Sequence, residues 1–398
     1  MHIHRIKYKD IEQIPQLKIH KTFKQDFQGS APAPFIGRYG YPEVNIGLLS
    51  PQIIDYNPLY DSPQAWSQQN TAINTVASLR YGLVNSRQKW KIKHQPGRFL
   101  DIIQEIGMAQ TAAEVEVNLK NKPTLDVKPE REIIPFGPAS SILRARITAN
   151  TKINSAVEKI AHDTDLKASS GILSLYHKGF EENSLSKLMS VGTLGLSKNR
   201  KLVPTRWSIT AVDDTIGKQL ITEIKDLPLG DCQLHFGGGW GNYYLLLFFP
   251  EIWSYELFET YLGKSVNPWS KNGFAYSTDY EGYEGRKTYA DETAGGYYAA
   301  RVPILEKMKQ MKRQSSCLAL RFITDEYTIP LGVWVCREAT RKSVQEKPLQ
   351  FASQELMLKY AAEFIKKKFS VDLRLLLRQS RLLLEKKEQK KLSAFGGK

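Results

Sequence analysis

Seven consecutive apolar or aromatic residues, Tyr243-Tyr244-Leu245-Leu246-Leu247-Phe248-Phe249, constrain this chain more than any other stretch. Gly241-Asn242 precedes them and Pro250 follows. The run is too short to cross a bilayer, and no stretch of eighteen apolar residues occurs anywhere. Bounded by turn residues at both ends, it reads as a strand buried in a sheet. Such a strand needs other segments of the chain to cover it.

Reading outward from this strand gives an α+β order of elements with no internal repeats. Residues 1–30 form a basic arm that ends in Gly29-Ser30-Ala31-Pro32-Ala33-Pro34, an extended linker. A large mixed domain is expected over 31–270. In it Ser67 to Arg87 and Lys152 to Lys167 have helical spacing, and Glu114 to Lys120 alternates like a strand. Ser270 to Ala294, rich in Gly, Tyr, Ser and Asp, reads as a seam. A smaller domain is expected over 271–387, beginning with a basic helix near Gly295 that carries Lys307, Lys309, Lys312 and Arg313. Strands are expected at Cys317–Ile323 and Ile329–Cys336, then helices at Ser353–Lys368 and Ser370–Lys387. In the last of these Leu373, Leu376, Leu377 and Leu384 share one face, beside Arg374, Arg378 and Arg381. Residues 388–398 form a free tail.

Charge narrows the partners. The net charge is +15, and the last 58 residues hold fifteen Lys/Arg against six Asp/Glu. DNA is the polyanion such ends suit, with Arg374, Arg378 and Arg381 as candidate contacts, because each neutralised phosphate releases counterions. A surface lysine excess of the thermophile kind explains the charge almost as well. The three cysteines, Cys232, Cys317 and Cys336, contain no C-x-x-C pair. They suit a reducing cytosol and offer neither a disulfide framework nor a cysteine zinc site, so zinc is not expected. The N-terminus lacks the apolar core of a signal peptide, and a cytoplasmic, nucleoid-associated protein with no membrane partner is expected.

Three blocks carry unusual chemistry. In Pro34-Phe35-Ile36-Gly37-Arg38-Tyr39-Gly40-Tyr41-Pro42, Arg38 lies among aromatics, so Arg38, Tyr39 and Tyr41 could pair a phosphate and stack a base. A structural turn is the competing reading. In Pro204-Thr205-Arg206-Trp207-Ser208-Ile209-Thr210-Ala211-Val212-Asp213-Asp214-Thr215, the run Trp207–Val212 alternates as a strand. That would deliver Arg206 at one end and Asp213 and Asp214 at the other. The two carboxylates could hold a divalent cation or act as a base, or they could cap a helix starting near Thr215. His235-Phe236-Gly237-Gly238-Gly239-Trp240-Gly241-Asn242-Tyr243-Tyr244 places four glycines within five residues. Gly237, Gly238 and Gly239 could form an anion-binding nest beside a Trp240 stacking plane, or simply turn a hairpin. No G-K-[ST] follows, so the block is not a P-loop. The catalytic candidates are Arg206, Asp213, Asp214 and His235, converging on the glycine-rich loop.

Near the end, Gln389-Lys390-Lys391-Leu392-Ser393-Ala394-Phe395 has the spacing of a peptide that docks on a DNA sliding clamp. In one tight helical turn Leu392 and Phe395 eclipse into a single plug while the Gln389 amide bonds at the rim. A basic tail packing on its own domain is the alternative.

Taken together, P-F-I-G-R-Y-G-Y-P, K-L-V-P-T-R-W-S-I-T-A-V-D-D-T and H-F-G-G-G-W-G-N-Y, with Asp163-Thr164-Asp165-Leu166-Lys167-Ala168, resemble the archaeal Nre family of DNA repair proteins, NreA type. The resemblance runs from about Pro34 to the C-terminus. It implies an N-terminal and a C-terminal Nre region, a role in the DNA-damage response, and a C-terminal peptide binding the archaeal sliding clamp (PCNA) through Gln389, Leu392 and Phe395. Many relatives carry an N-terminal cysteine cluster that looks zinc-binding, whereas this chain has no cysteine before Cys232. The resemblance implies no catalytic mechanism. Two classes of function follow: a clamp-tethered DNA-binding repair factor, or a metal-dependent enzyme acting on nucleic acid or nucleotide around the glycine-rich loop.

Overall fold

The computed structural model describes residues 3–5, 22–93, 96–124, 132–262 and 274–388. The chain folds as two compact units. One, the sheet unit, comprises residues 1–13, 217–328 and 336–398, and the other, the barrel unit, comprises 14–216 and 329–335. No helix among the described residues is long and apolar enough to cross a membrane.

After a short first strand, β1 (Ile3–Arg5), which belongs to the sheet unit, the barrel unit begins with β2 (Asp26–Ala31), β3 (Ala33–Ile36) and β4 (Glu43–Ser50). Helices α1 (Pro63–Gln68) and α2 (Ile73–Tyr81) lead to β5 (Val84–Lys91), followed by α3 (Arg98–Met108), β6 (Ala113–Leu119) and β7 (Ala139–Ile147). The six strands run in the order β2-β6-β7-β5-β4-β3. The two edge strands, β2 and β3, are joined by Pro32 alone. Six strands laid flat would separate those edges by about 24 Å, which one residue cannot span, so the sheet curls back on itself as a barrel. Its interior is filled by alternate side chains. Val44, Ile46 and Leu48 of β4 and Val115, Val117 and Leu119 of β6 are buried with Ile103 and Ile106 of α3. Glu114–Lys120 is thus a strand, as its alternation predicts.

The barrel unit continues through α4 (Ser155–His162), α5 (Ala168–His177), α6 (Glu182–Ser190) and the start of α7 (Thr205–Lys225). Helical spacing over Ser67–Arg87 resolves into α1, α2 and the first half of β5, because Gly82 stops α2 and Val84 starts a strand.

The sheet unit contains β8 (Cys232–Gly239), β9 (Asn242–Phe249), β10 (Ser254–Tyr261), β11 (Phe274–Glu281), α8 (Gly295–Met311), β12 (Ser316–Ile323) and α9 (Trp334–Gln345). It closes with β13 (Leu349–Phe351), α10 (Gln354–Phe369), α11 (Leu373–Leu377) and α12 (Arg381–Glu388). Seven strands lie in the order β1-β11-β10-β12-β9-β8-β13. On one face Leu245, Leu247 and Phe249 of β9 pack with Met357, Ala361 and Ile365 of α10, Leu373 and Leu376 of α11, and Leu382 of α12. On the other, Tyr255 of β10 meets Tyr297 of α8 with ring centroids 4.9 Å apart, and Gly237 of β8 lies under Ser343 of α9. Covered on both faces, β9 is the buried strand its apolar run predicts.

Four expectations change here. Gly29–Pro34 is not a linker: Gly29, Ser30 and Ala31 end β2, and Ala33 and Pro34 open β3. The seam between Ser270 and Ala294 contains a full strand, β11, antiparallel to β10. Ile329–Cys336 forms no strand: Trp334 opens α9, and no strand is assigned in 329–333. The leucine-rich helix is broken at Arg378–Ser380 into α11 and α12, leaving Leu384 47% exposed, away from buried Leu373 and Leu376.

Candidate nucleic-acid interface

The barrel unit carries a row of cations that leads into a groove. Along β5 and just beyond it, Val84, Trp90 and Ile92 belong to the core, while Arg87, Lys89, Lys91 and Lys93 occupy the alternate, outward positions. A strand turns every second side chain to the same face, so Arg87, Lys89 and Lys91 form one line with steps of about 6.8 Å, and Lys93 follows past the bend at Ile92. None of the four makes an ion pair with a described residue. In register beside them on β4 stand Glu43, Asn45 and Gly47, one acid against three cations.

The line runs into a groove. Lys93 pairs by its backbone with Lys201, and the Leu202 N–H donates to the Ile92 carbonyl at 2.9 Å. The groove has a volume of about 960 Å³ and is lined by Lys93, Lys198, Arg200 and Lys201 together with His162, Asn199, Ser197 and Thr193, and by no Asp or Glu. Arg200 shapes it. Its guanidinium donates to the carbonyls of Gly195 (2.8 Å), Ala161 (2.6 Å) and Asp163 (2.7 Å), and the Ser197 N–H donates to the Thr164 carbonyl (2.9 Å). The Asp163–Ala168 motif therefore holds one wall of a cationic groove. Burial lowers the Arg200 guanidinium pKa from its ordinary value, and the Asp163 charge opposes that shift.

Beside Lys91 and Lys93 sits an exposed aromatic corner. The Ile92 N–H donates to the Pro42 carbonyl at 3.0 Å, which fixes the loop of Arg38, Tyr39 and Tyr41 beside β5. Arg38 lies 4.9 Å over the Tyr39 ring and donates to its hydroxyl at 3.0 Å. Tyr39 is 70% exposed, Tyr41 and Trp207 each 43%, and the last two rings stand 5.2 Å apart. Sequence reading finds Arg38, Tyr39 and Tyr41. It misses Arg87, Lys89, Lys91, Lys93 and Trp207, and the signal for the first four is the period-two alternation in R-Q-K-W-K-I-K.

The block around Arg206 differs from expectation. Trp207–Val212 is not a strand but the opening of α7, so Asp213 and Asp214 are its ninth and tenth residues, inside the helix rather than at its start. Neighbours on a helix point about 100° apart, so the two carboxylates do not form a clamp for one ion. Asp213 is fully buried. Arg206 grips the buried Glu132 carboxylate with both Nε and Nη2, a structural pairing.

The glycine block is no loop. Gly237, Gly238 and Gly239 are strand residues of β8, and the β8–β9 hairpin turns through Trp240 (φ 54°) and Gly241 (φ 68°) alone. A Cβ on Gly237 would stand 2.9 Å from the Ser343 Cα, so the glycine lets α9 lie directly on the sheet. Lys342 of α9 caps the Trp240 ring at 4.3 Å. His235 is fully buried, its Nδ1 3.3 Å from the Glu346 carbonyl, and burial with the Lys307 charge lowers its pKa to about 4. Arg206, Asp213 and Asp214 belong to the barrel unit, His235 and the glycines to the sheet unit.

Among the remaining candidates, Arg374 pairs with Asp372 (2.8 Å) and Arg381 with Glu385 (2.7 Å), while Arg378 is exposed between them. Two of these three cations are thus partly neutralised by their own neighbours. No group of three or more His, Cys, Asp or Glu suited to a metal ion occurs among the described residues. Gln389, Leu392 and Phe395 lie outside the described residues.

Residues 8–270 match the family described as Archaeal Nre, N-terminal, and residues 281–395 that described as Archaeal Nre, C-terminal. The chain is 34% identical to the DNA repair protein NreA of Haloferax volcanii over 340 residues, 83% of this chain and 81% of that one. It is 33% identical to the DNA repair protein NreB of Archaeoglobus fulgidus over 350 residues, 87% of each chain. It is also 33% identical to the NreA of that organism over 364 residues, 90% of each. No solved structure matches the chain. With both regions matched and the likeness running nearly end to end, the chain is a member of the archaeal Nre family.

Proposed function

We propose that this protein is a DNA repair factor that grips the phosphate backbone through the β5 line and its adjoining groove, and is tethered to the sliding clamp by Gln389, Leu392 and Phe395. One observation carries the DNA-binding half: Arg87, Lys89 and Lys91 in one line, with Lys93 past the bend, leading into a groove lined by cations and no acid. Phosphate contact of this kind releases counterions and needs no base reading. The DNA repair role is supported by relatives that bear that name over most of the chain. The tether rests on the spacing of the tail alone.

Catalysis around the glycine block has weaker support. His235 has no exposed surface, and the adjacent aspartates point apart on α7.

Anisotropy titrations of labelled DNA at several salt concentrations test the DNA reading. Binding should weaken steeply as salt rises and should be weaker, with a shallower salt dependence, when Lys89 and Lys91 become alanine. Absence of binding at low salt, or an affinity indifferent to salt, would overturn it.

A further inference from the structure

We infer that the β5 line and the aromatic corner form a site for single-stranded DNA in preference to duplex; this rests on the DNA-binding reading above and names its substrate. Two features together point there. The first is the shape of the charge. Arg87, Lys89 and Lys91 are spaced along β5 at about 6.8 Å, and Lys93 follows past the bend at Ile92, a step that suits successive phosphates of one nucleic-acid backbone. The charge therefore sets where a backbone lies, and the neighbouring rings decide which form of DNA it belongs to.

The second feature is the aromatic corner. Tyr39, Tyr41 and Trp207 keep 70%, 43% and 43% of their surface in solvent. Exposed rings that cluster at the end of a cationic row need a partner of matching chemistry. Base faces are such partners, but a duplex buries them in its own stack, and only unpaired bases offer them. The backbone bond from Ile92 to Pro42 places the corner beside Lys91 and Lys93, so one strand can run phosphates over the lysines and bases onto the rings. The Arg38 guanidinium lies over one face of the Tyr39 ring and is bonded to its hydroxyl, which adds a cation beside the ring.

The test uses the full chain with a labelled twenty-residue oligothymidine and a duplex of the same length, by anisotropy across a salt series. Wild type should bind the single strand at least tenfold more tightly. Tyr39→Ala and Trp207→Ala should each weaken the single strand about tenfold and leave the duplex unchanged. The double variant Lys89→Ala/Lys91→Ala should lower the log–log salt slope for the single strand by about 1.4, at about 0.7 per phosphate contact. A matched control, Lys359→Ala/Lys367→Ala on α10, removes the same charge and should leave both affinities within twofold. Thermal midpoints identify any variant that fails to fold. Equal affinity for duplex and single strand, or no loss on removing either ring, would overturn the inference while leaving DNA binding intact. Failure of both DNA forms to bind would overturn the DNA-binding reading itself.

Discussion

The Ser380 hydroxyl donates to the Glu256 carboxylate at 2.5 Å, joining the residue just before α12 to the middle of strand β10, 124 positions earlier. The same carboxylate accepts the backbone N–H groups of Arg381 and Leu382, both at 3.0 Å, and the Thr278 hydroxyl at 3.3 Å. Ser380 in turn accepts the Leu383 N–H at 3.2 Å. A buried strand carboxylate therefore satisfies the first turn of the helix that precedes the tail, where otherwise unpaired donors and the positive end of the helix dipole favour an anion. Glu256→Ala should cost about 3 kcal/mol, because several buried donors lose their acceptor, and Glu256→Gln about 1 kcal/mol. Hydrogen exchange should show α12 amides deprotected first. Uniform loss of protection across the sheet unit would count against a local cap.

The glycine block separates packing from function one residue at a time. Gly237→Ala would press its Cβ to 2.9 Å from the Ser343 Cα, a backbone atom that cannot step aside, and should destabilise by about 1–3 kcal/mol. Gly239→Ala meets only the flexible Lys342 side chain at 3.8 Å and should be neutral or slightly stabilising. Denaturant melts of the two variants decide it. If Gly239→Ala keeps its stability yet loses DNA binding, the glycines serve a ligand as well as α9.

His235 predicts an acid limb in stability. Its pKa falls from 6.5 to about 4 in the folded chain, so the neutral ring's contribution is complete above pH 6.5 and is lost as pH falls toward 4. That gap corresponds to roughly 3 kcal/mol. A His235→Gln variant should be less stable at pH 7 but show a correspondingly shallower loss between pH 6.5 and 4. Parallel curves for the two proteins would mean that the ring is not kept neutral by burial.

Arg206 holds the buried Glu132 carboxylate in a two-pronged pair, and breaking it from one side strands a charge. Arg206→Ala should destabilise by about 3 kcal/mol. Arg206→Ala combined with Glu132→Ala should recover part of the loss, and urea melts of the three variants measure the coupling. A catalytic Arg206 would instead leave stability intact.

The clamp contact is expected to reside in the tail. Replacing Leu392 and Phe395 with alanine, or ending the chain after Glu388, should abolish clamp binding by calorimetry while leaving the thermal midpoint in place, because a few apolar anchors dominate peptide affinity. Undiminished binding by the shortened protein would place the contact elsewhere.

Local pattern specified those elements whose environment is one-sided or wholly buried. The β9 run, the alternation of β6 and the spacing of α10 each leave a single way to bury their apolar side chains, so strand, strand and helix were legible from residues alone. Trp207–Val212 was not: six residues that alternate also fit the first turns of a helix, and here Pro204 precedes helix α7, which continues to Lys225. The glycines of β8 read as a loop because their reason for being there, the approach of Ser343 from α9, lies more than a hundred residues away. The cationic line was written in the sequence as R-Q-K-W-K-I-K, but which half of that alternation faces solvent depends on β4 pairing along β5 and on the core that Trp90 and Ile92 join. Periodicity assigns side chains to faces; only long-range pairing says which face is inside.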